Sequence, residues 1–273
     1  MRIDLHTHST ASDGLLTPNE LLNKAAAAGV EMLACTDHDT LTGIRSIIDS
    51  APSGLRLITG IELSATWRKI GVHILGLNID LDNAVLNAGI ARQTIARDQR
   101  AIIIAERLEK LGFSGTLAGA QRIAGGSNVG RPHFARYLTE SGQIKNEKEA
   151  FKRYLGRGKA CDIKNVWATL EEVVQWILSA GGTASLAHPA KYKLSNLKLE
   201  ELAREFAAAG GQAIEVISGQ QEIRITQKLA SLAIRHNLSA SAGSDFHGPD
   251  QPWSALGTVA PLPDNCRPVW EGW

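Results

Sequence analysis

His6-Thr-His8 follows directly on the short apolar stretch Ile3-Asp-Leu5, and no other feature restricts the possible folds as strongly. Residues two apart on an extended segment share a side, so both imidazoles arrive together at the end of a strand. The arrangement recurs. Asp37-His38-Asp39, Glu62, Ala187-His188-Pro189 and Gly243-Ser-Asp245-Phe-His247 stand at or behind later strand-like stretches, and Asp13 and His73 complete the set. A fold that uses these residues together must bring several strand ends to one place, as a (β/α) barrel does at its C-terminal edge. His73 is the exception, since it falls near the start of its apolar stretch. Imidazoles and carboxylates without a cysteine among them suit divalent ions such as zinc, manganese and iron, and point to a multinuclear metal site. Asp13, in Ser-Asp-Gly, is equally compatible with a turn. Asp37 and Asp39 are compatible with orienting imidazoles or with starting the next helix.

The first part of the chain alternates strand and helix. Arg2–Leu5 reads as a strand, and Thr17-Pro-Asn-Glu20 is a capping box with proline at the first helical position, opening a helix that stops at Gly29. Glu31–Thr36, Leu55–Leu63 and Val72–Leu77 read as further strands, with a helical stretch through Ile44–Ile48. From about Leu86 the apolar spacing becomes helical, through Ile95, Ile102, Ile103, Leu108 and Leu111. Clear strands do not return before a second capping box, Thr169-Leu-Glu-Glu172. Strands are then expected over Thr183–Ala187, Gln212–Ile217 and Leu238–Ala242, with a helix through Ile225–His236. The organisation expected is a barrel from residues 1–85 and 161–273, with a helical insertion at 86–160.

Charge excludes little but excludes it usefully. Lys+Arg 29 against Asp+Glu 28 gives a net charge of +1, so bulk attraction to duplex nucleic acid is not expected, although a local basic pocket is compatible with it. No apolar run approaches the ~20 residues that span a bilayer, and the N-terminus enters a strand at once; a cytoplasmic protein without a membrane partner is expected. The three cysteines, Cys35, Cys161 and Cys266, lack metal-finger spacing, and Cys35 reads as a small core residue in a buried strand.

Taken in order, His6-Thr-His8, Thr36-Asp-His-Asp39, Gly60-Ile-Glu62, His73, Ala187-His-Pro189 and Gly243-Ser-Asp-Phe-His247 resemble the polymerase and histidinol phosphatase (PHP) family of metal-dependent phosphoesterases. The resemblance runs from His6 to His247. It implies an α/β fold, a distorted (β/α)7 barrel, holding three divalent ions at its C-terminal mouth: manganese foremost, with zinc or iron as alternatives. By resemblance, His6, His8, Glu62 and Asp245 hold one ion; Glu62 bridges to a second, also held by His73 and His188; Asp13, His38 and His247 hold the third. Glu62, His188 and Asp245 are the expected catalytic residues.

Within the family, the chain most resembles bacterial enzymes that remove the 3'-phosphate of 3',5'-nucleoside bisphosphates. The insertion segments Gly130-Arg-Pro-His-Phe-Ala-Arg136 and Tyr154-Leu-Gly-Arg-Gly-Lys159 share in that likeness. Arg131, His133 and Lys159 are the candidates for gripping phosphate, by charge-assisted hydrogen bonds; Arg131 and His133 also fit a surface role at a helix start. The chain departs from the pattern at Ala242, where glycine is frequent, and at Ala160-Cys-Asp162, where a Pro-Gly-Tyr-like stretch is usual. The expected reaction turns adenosine 3',5'-bisphosphate into the 5'-monophosphate and phosphate. Alternatives are a 5'-to-3' exonuclease on short single-stranded oligonucleotides or RNA 5' ends, using the same site, and a histidinol phosphatase. A catalytically silent metal-binding interaction module is the alternative outside enzymology. A small nucleotide is the expected partner, and no obligate protein partner is.

Overall fold

The computed structural model describes residues 1–164 and 166–273. Seven strands form one sheet in chain order: β1 (Ile3–Thr7), β2 (Met32–Cys35), β3 (Arg56–Trp67), β4 (Ile70–Leu77), β5 (Thr183–Leu186), β6 (Ala213–Ser218) and β7 (Ser239–Gly243). The sheet curls until its edges nearly meet. His8 N–H donates to Phe246 O at 2.9 Å and Asp245 N–H to His6 O at 2.8 Å, tying β1 to the chain leaving β7. The architecture is a distorted (β/α)7 barrel.

β4 runs antiparallel to both β3 and β5, whereas the other neighbouring pairs are parallel. The alternation expected from sequence therefore breaks here into a β-hairpin. Its turn residues Arg68 and Lys69 both have positive φ (46° and 66°), the backbone that a tight two-residue hairpin requires. The reversal explains His73. Because β4 points the other way, its first residues lie beside the ends of its neighbours, and His73 pairs with Ser64 of β3.

The helices α1 (Pro18–Ala27), α2 (Thr42–Ile47), α7 (Leu170–Ser179), α8 (Asn196–Ala208) and α9 (Ile223–Arg235) accompany the strands. Thr17 and Thr169 each close the capping box that their sequence spacing announces. Between β4 and β5 the described chain is helical: α3 (Ala84–Lys110), α4 (Thr116–Ala124), α5 (Arg131–Glu140), α6 (Glu147–Ala150) and a π-helical turn over Phe151–Leu155. α3 belongs to two cores. Leu86 packs into the main one, while Ala101, Ile104 and Leu108 join Phe134, Leu138 and Leu155 in a second cluster. Gly89 is what lets α3 approach the outer helices, since a Cβ there would lie 2.4 Å from the Trp176 ring of α7. A third apolar group, including Leu5, Ile58, Leu75, Ala187 and Ala213, joins residues from strands around the barrel. No described helix is long and apolar enough to cross a membrane.

Candidate metal centre

The ends of β1, β2, β5 and β7, with the residues that follow them, and the start of β4 place imidazoles and carboxylates around Glu62, which is fully buried midway along β3. Its Oε1 lies 2.9 Å from His73 Nδ1, 2.9 Å from His188 Nε2 and 3.3 Å from His6 Nε2. Its Oε2 lies 2.8 Å from His38 Nδ1 and 3.3 Å from His8 Nε2. Asp245 Oδ1 stands 3.5 Å from His6 Nε2 and 3.3 Å from His8 Nε2, and Asp13 Oδ1 stands 3.4 Å from His247 Nε2. All nine ligand candidates are thus side by side.

Four overlapping groups have ligand atoms within 4.8 Å of one another: His8, Asp13, His38 and His247; His6, Glu62 and His188; His6, His8 and Asp245; His38, Glu62 and His73. Compared with the partition implied by resemblance, His8 also faces the Asp13 group and His38 also faces Glu62.

The donor set fits cations. Glu62 Oε2, Asp13 Oδ1 and Asp245 Oδ1 are buried oxygens that accept no hydrogen bond, and leaving such atoms unpartnered is costly. The His38 Nδ1–Glu62 Oε2 approach of 2.8 Å likewise lacks hydrogen-bond geometry, as befits two atoms aimed at a shared third partner. Burial and the neighbouring His247 and His38 drive His8 down to about 3, and burial drives His73 down to about 4 against the pull of Glu62, so both are neutral imidazoles. Burial acts in the same direction on His247, but Asp13 and Asp245 outweigh it and hold this imidazole up at about 9. Glu62 and Asp245 remain well below the ordinary carboxylate range, because surrounding cations outweigh burial.

Residues not singled out in the sequence hold this cluster. Glu215, fully buried on β6, lies 3.0 Å from His6 Nδ1 through Oε1 and accepts the His188 N–H through Oε2 at 2.5 Å. Asp4 accepts Ser244 N–H at 2.8 Å. Gly243 seats His6, since a Cβ there would come within 2.4 Å of the histidine's own Cβ. His188 and Asp245 have φ of 28° and 55°, sparsely populated values for side-chain-bearing residues that concentrate at functional sites.

Asp37 and Asp39 neither bond an imidazole nor cap α2, whose N-cap is Leu41. Asp37 accepts Ser9 N–H, Ser9 Oγ and Ser12 Oγ, each at 2.7 Å, and so pins the loop that carries Asp13. Asp39 accepts Ser64 N–H at 2.7 Å and Arg97 Nε at 2.6 Å, tying α3 to the hairpin. Cys35 is fully buried and donates to Asp37 Oδ2 at 3.2 Å, with burial pushing its thiol pKa well up.

A cavity of about 410 Å³ opens beside the cluster, lined by His38, His73 and His188 and also by Arg97, Arg100, Arg131 and Lys164. The Arg97 and Arg100 guanidinium groups lie over Trp167 at 5.1 and 5.2 Å from the ring centroid. Arg100 Nε has no partner, and burial with repulsion from Arg131 and Arg97 lowers the group to about 9. Arg131 donates to Leu155 O at 3.1 Å. His133 lies outside the cavity wall: it is buried, its Nδ1 accepts Gly130 N–H at 2.9 Å to cap α5, and burial lowers it to about 4. Lys159 lines a neighbouring groove instead. At the departures from pattern, Ala242 is packed in the core, and Asp162 accepts Gly158 N–H at 2.8 Å while lining the cavity. The cations of α3 escaped notice in the sequence because a helix face rich in Arg reads as solvated.

Comparison with known proteins places these features in context. Residues 4–216 match the PHP domain. The 5'-3' exoribonuclease Rnm of Escherichia coli strain K12 is 45% identical over 273 residues, covering 99% of this chain and 93% of that one. The 3',5'-nucleoside bisphosphate phosphatase of Chromobacterium violaceum is 42% identical over 271 residues, covering 98% and 95%. A crystallised amidohydrolase from C. violaceum, with bound sulfate and no metal, superposes with a TM-score of 0.93 at 41% identity, covering 100% of this chain and 95% of that one.

Proposed function

Since the chain belongs to the PHP domain family, we propose that it is a metal-dependent phosphatase that removes the 3'-phosphate of 3',5'-nucleoside bisphosphates, leaving the 5'-monophosphate. The observation that carries this reading is the adjacency of two unlike anion-binding groups: a ligand cluster around Glu62 and, lining the same cavity as its His38, His73 and His188, the guanidinium groups of Arg97, Arg100 and Arg131. A substrate with two phosphates meets both. Among its relatives, one is a 3',5'-nucleoside bisphosphate phosphatase and another a 5'-3' exoribonuclease, and the first of these names supports the same reading.

We assign His6, His8, Glu62 and Asp245, then Glu62, His73 and His188, then Asp13, His38 and His247, to three divalent ions, with manganese the first choice. Bound there, the ions would neutralise phosphate charge and lower the pKa of an attacking water. The chain's own residues do the rest. Glu215 fixes His6 and the backbone of His188, Asp37 fixes the Asp13 loop, and Lys191, whose ammonium pairs with Asp245 Oδ2, adds positive charge at the cavity's edge. Arg97, Arg100 and Arg131 orient the retained 5'-phosphate, and residues 86–160 act as the insertion that supplies them. His133 serves by capping α5, the helix that carries Arg131.

The test is regiochemical. Purified protein with manganese should convert adenosine 3',5'-bisphosphate to AMP and phosphate, and should turn over histidinol phosphate far more slowly. Accumulation of 3'-AMP would reverse the proposed orientation.

A further inference from the structure

A second basic groove joins the cavity just described. It is lined by Lys152, Arg157, Lys159, Lys191 and Lys193 together with Phe151, Gly156 and Tyr192, so five of eight lining residues are cations and none is acidic. In a chain whose net charge is only +1, this is a local concentration. The two spaces share Phe151, Gly156, Arg157, Lys191 and Tyr192. The groove therefore joins the cavity that His38, His73 and His188 line, and the Lys191 ammonium, common to both, is bonded to Asp245. One wall comes from the π-helical turn and the loop after it, the other from the turn after β5, and the Arg157 guanidinium joins them by donating to Tyr192 O. π-Helical turns are rare and often mark functional sites. This one sets Phe151 and Gly156 at the junction of the two spaces.

We infer that this groove is a track for the backbone of a single-stranded oligonucleotide lying 3' of the scissile phosphate. The inference rests on the proposed phosphatase reading and extends it. Hydrolysis of a bisphosphate breaks the P–O3' bond: water oxygen joins phosphorus, and O3' leaves with a proton as the 3'-hydroxyl. An oligonucleotide whose first 5'-phosphate occupies the arginine side presents the same P–O3' bond, but its phosphorus also carries the rest of the chain through O5'. The products are a 5'-mononucleotide and a chain shortened by one residue with a new 5'-phosphate. The chemistry needs nothing further except a path for the attached chain. A groove that leads off the cavity beside the cluster and is lined by cations meets that need, with Phe151 where the two spaces join as a ring on which a base can stack.

Exposed Lys152 and Lys193 lie on the groove but not on the cavity, so they separate the two roles. Lys193 has a φ of 50°, which asparagine tolerates, so the test variant is Lys152→Gln with Lys193→Asn. With manganese, its kcat/KM on a 5'-phosphorylated pentaribonucleotide should fall about five- to ten-fold, while its rate on adenosine 3',5'-bisphosphate stays within two-fold of the parent. The slope of log kcat/KM against log salt for the pentamer should flatten by about 1.4, the value for two lost phosphate contacts on a single strand. Equal losses on both substrates, or no loss on either, would overturn the track. So would a parent protein that hydrolyses the bisphosphate and leaves the pentamer intact, an outcome under which the phosphatase reading survives. Pentamer hydrolysis without bisphosphate hydrolysis would instead remove the phosphatase reading while the variant's loss on the pentamer still supported the track. Stronger inhibition of pentamer hydrolysis by an oligoglutamate of equal charge than by a non-cleavable oligonucleotide would overturn the track in favour of an acidic peptide.

Discussion

Glu215 stands directly behind His6, its Oε1 3.0 Å from the imidazole Nδ1 with both side chains fully buried. The other oxygen accepts the His188 backbone N–H, so a single carboxylate holds two candidate ligands, one on β1 and one just beyond β5. A carboxylate bonded to the far nitrogen of a ligating histidine fixes its tautomer and raises its basicity. Glu215→Gln should therefore lower manganese affinity by ~10–100-fold while the far-UV circular dichroism stays that of the parent. Metal content after dialysis against a graded chelator series measures this. Retention equal to the parent's would mean that Glu215 serves the fold alone.

Arg97 and Asp39 make a buried pair at 2.6 Å, with Gln93 and Ser64 completing the carboxylate's hydrogen bonds. Burial would raise the Asp39 carboxyl, but Arg97 and the Ser64 N–H overcome it and hold it below its ordinary value. Removing the cation strands a charge in the interior. Arg97→Ala should destabilise the protein by ~3–5 kcal/mol, read as a lower urea midpoint, and Asp39→Asn in the same chain should recover part of that loss. If the single variant unfolds at the parent's urea concentration, the pair does not hold α3 to the hairpin.

Most of the strands and the candidate ligands that the structure brings together could be read because each motif is local: His-x-His after an apolar run, Gly-Ile-Glu62, or His188 before proline. The capping boxes at Thr17 and Thr169 were legible for the same reason. What the sequence did not disclose depends on direction and distance. The apolar stretch around His73 gives no sign that β4 runs backwards, because strand polarity is set by the hairpin turn at Arg68-Lys69. Glu215 looks like a stray charge in Ala-Ile-Glu-Val-Ile, although a carboxylate inside an apolar strand is itself a signal, since burial demands a partner. Arg97 and Arg100, three apart on a long helix, read as solvent-facing until α3 is seen to pass over the barrel mouth.

Metal binding should be coupled to proton release. Without metal, His247 is held up at about 9, and His6 and His38 are also raised by nearby carboxylates against the effect of burial. A ligating imidazole must give up that proton, so binding at pH 7 liberates protons and affinity climbs as pH rises through about 9, where His247 loses its proton. Titration calorimetry with manganese in two buffers of different ionisation enthalpy should give heats that differ in proportion. Identical heats would exclude the protonated His247.

The same ions should stabilise the fold, because Glu62 Oε2, Asp13 Oδ1 and Asp245 Oδ1 are buried without donors. At a thousand-fold excess over Kd the gain is about 4 kcal/mol for each independent site, seen as a rise in Tm that a chelator reverses. Glu62→Gln should lose most of both this shift and the turnover, since Glu62 touches five of the imidazoles. Full turnover by chelator-treated protein would refute metal dependence.

The last prediction separates substrate grip from metal grip. Arg131 lines the cavity and has no contact with the ligand cluster among its hydrogen bonds, its Nη1 being given to Leu155 O. Three guanidinium groups share this wall, and their mutual repulsion is relieved when an anion enters, so the wall favours a phosphate over a neutral group. Arg131→Ala should lower kcat/KM for adenosine 3',5'-bisphosphate by ~1.5–3 kcal/mol in transition-state terms, the scale of one hydrogen bond to a charged group. Hydrolysis of a small activated phosphate ester, which has no second phosphate for Arg131 to hold, should fall much less, and metal content should not change. Equal losses on the two substrates would move Arg131 to the scissile phosphate, and a loss of metal would assign it to the support of the Asp13 loop.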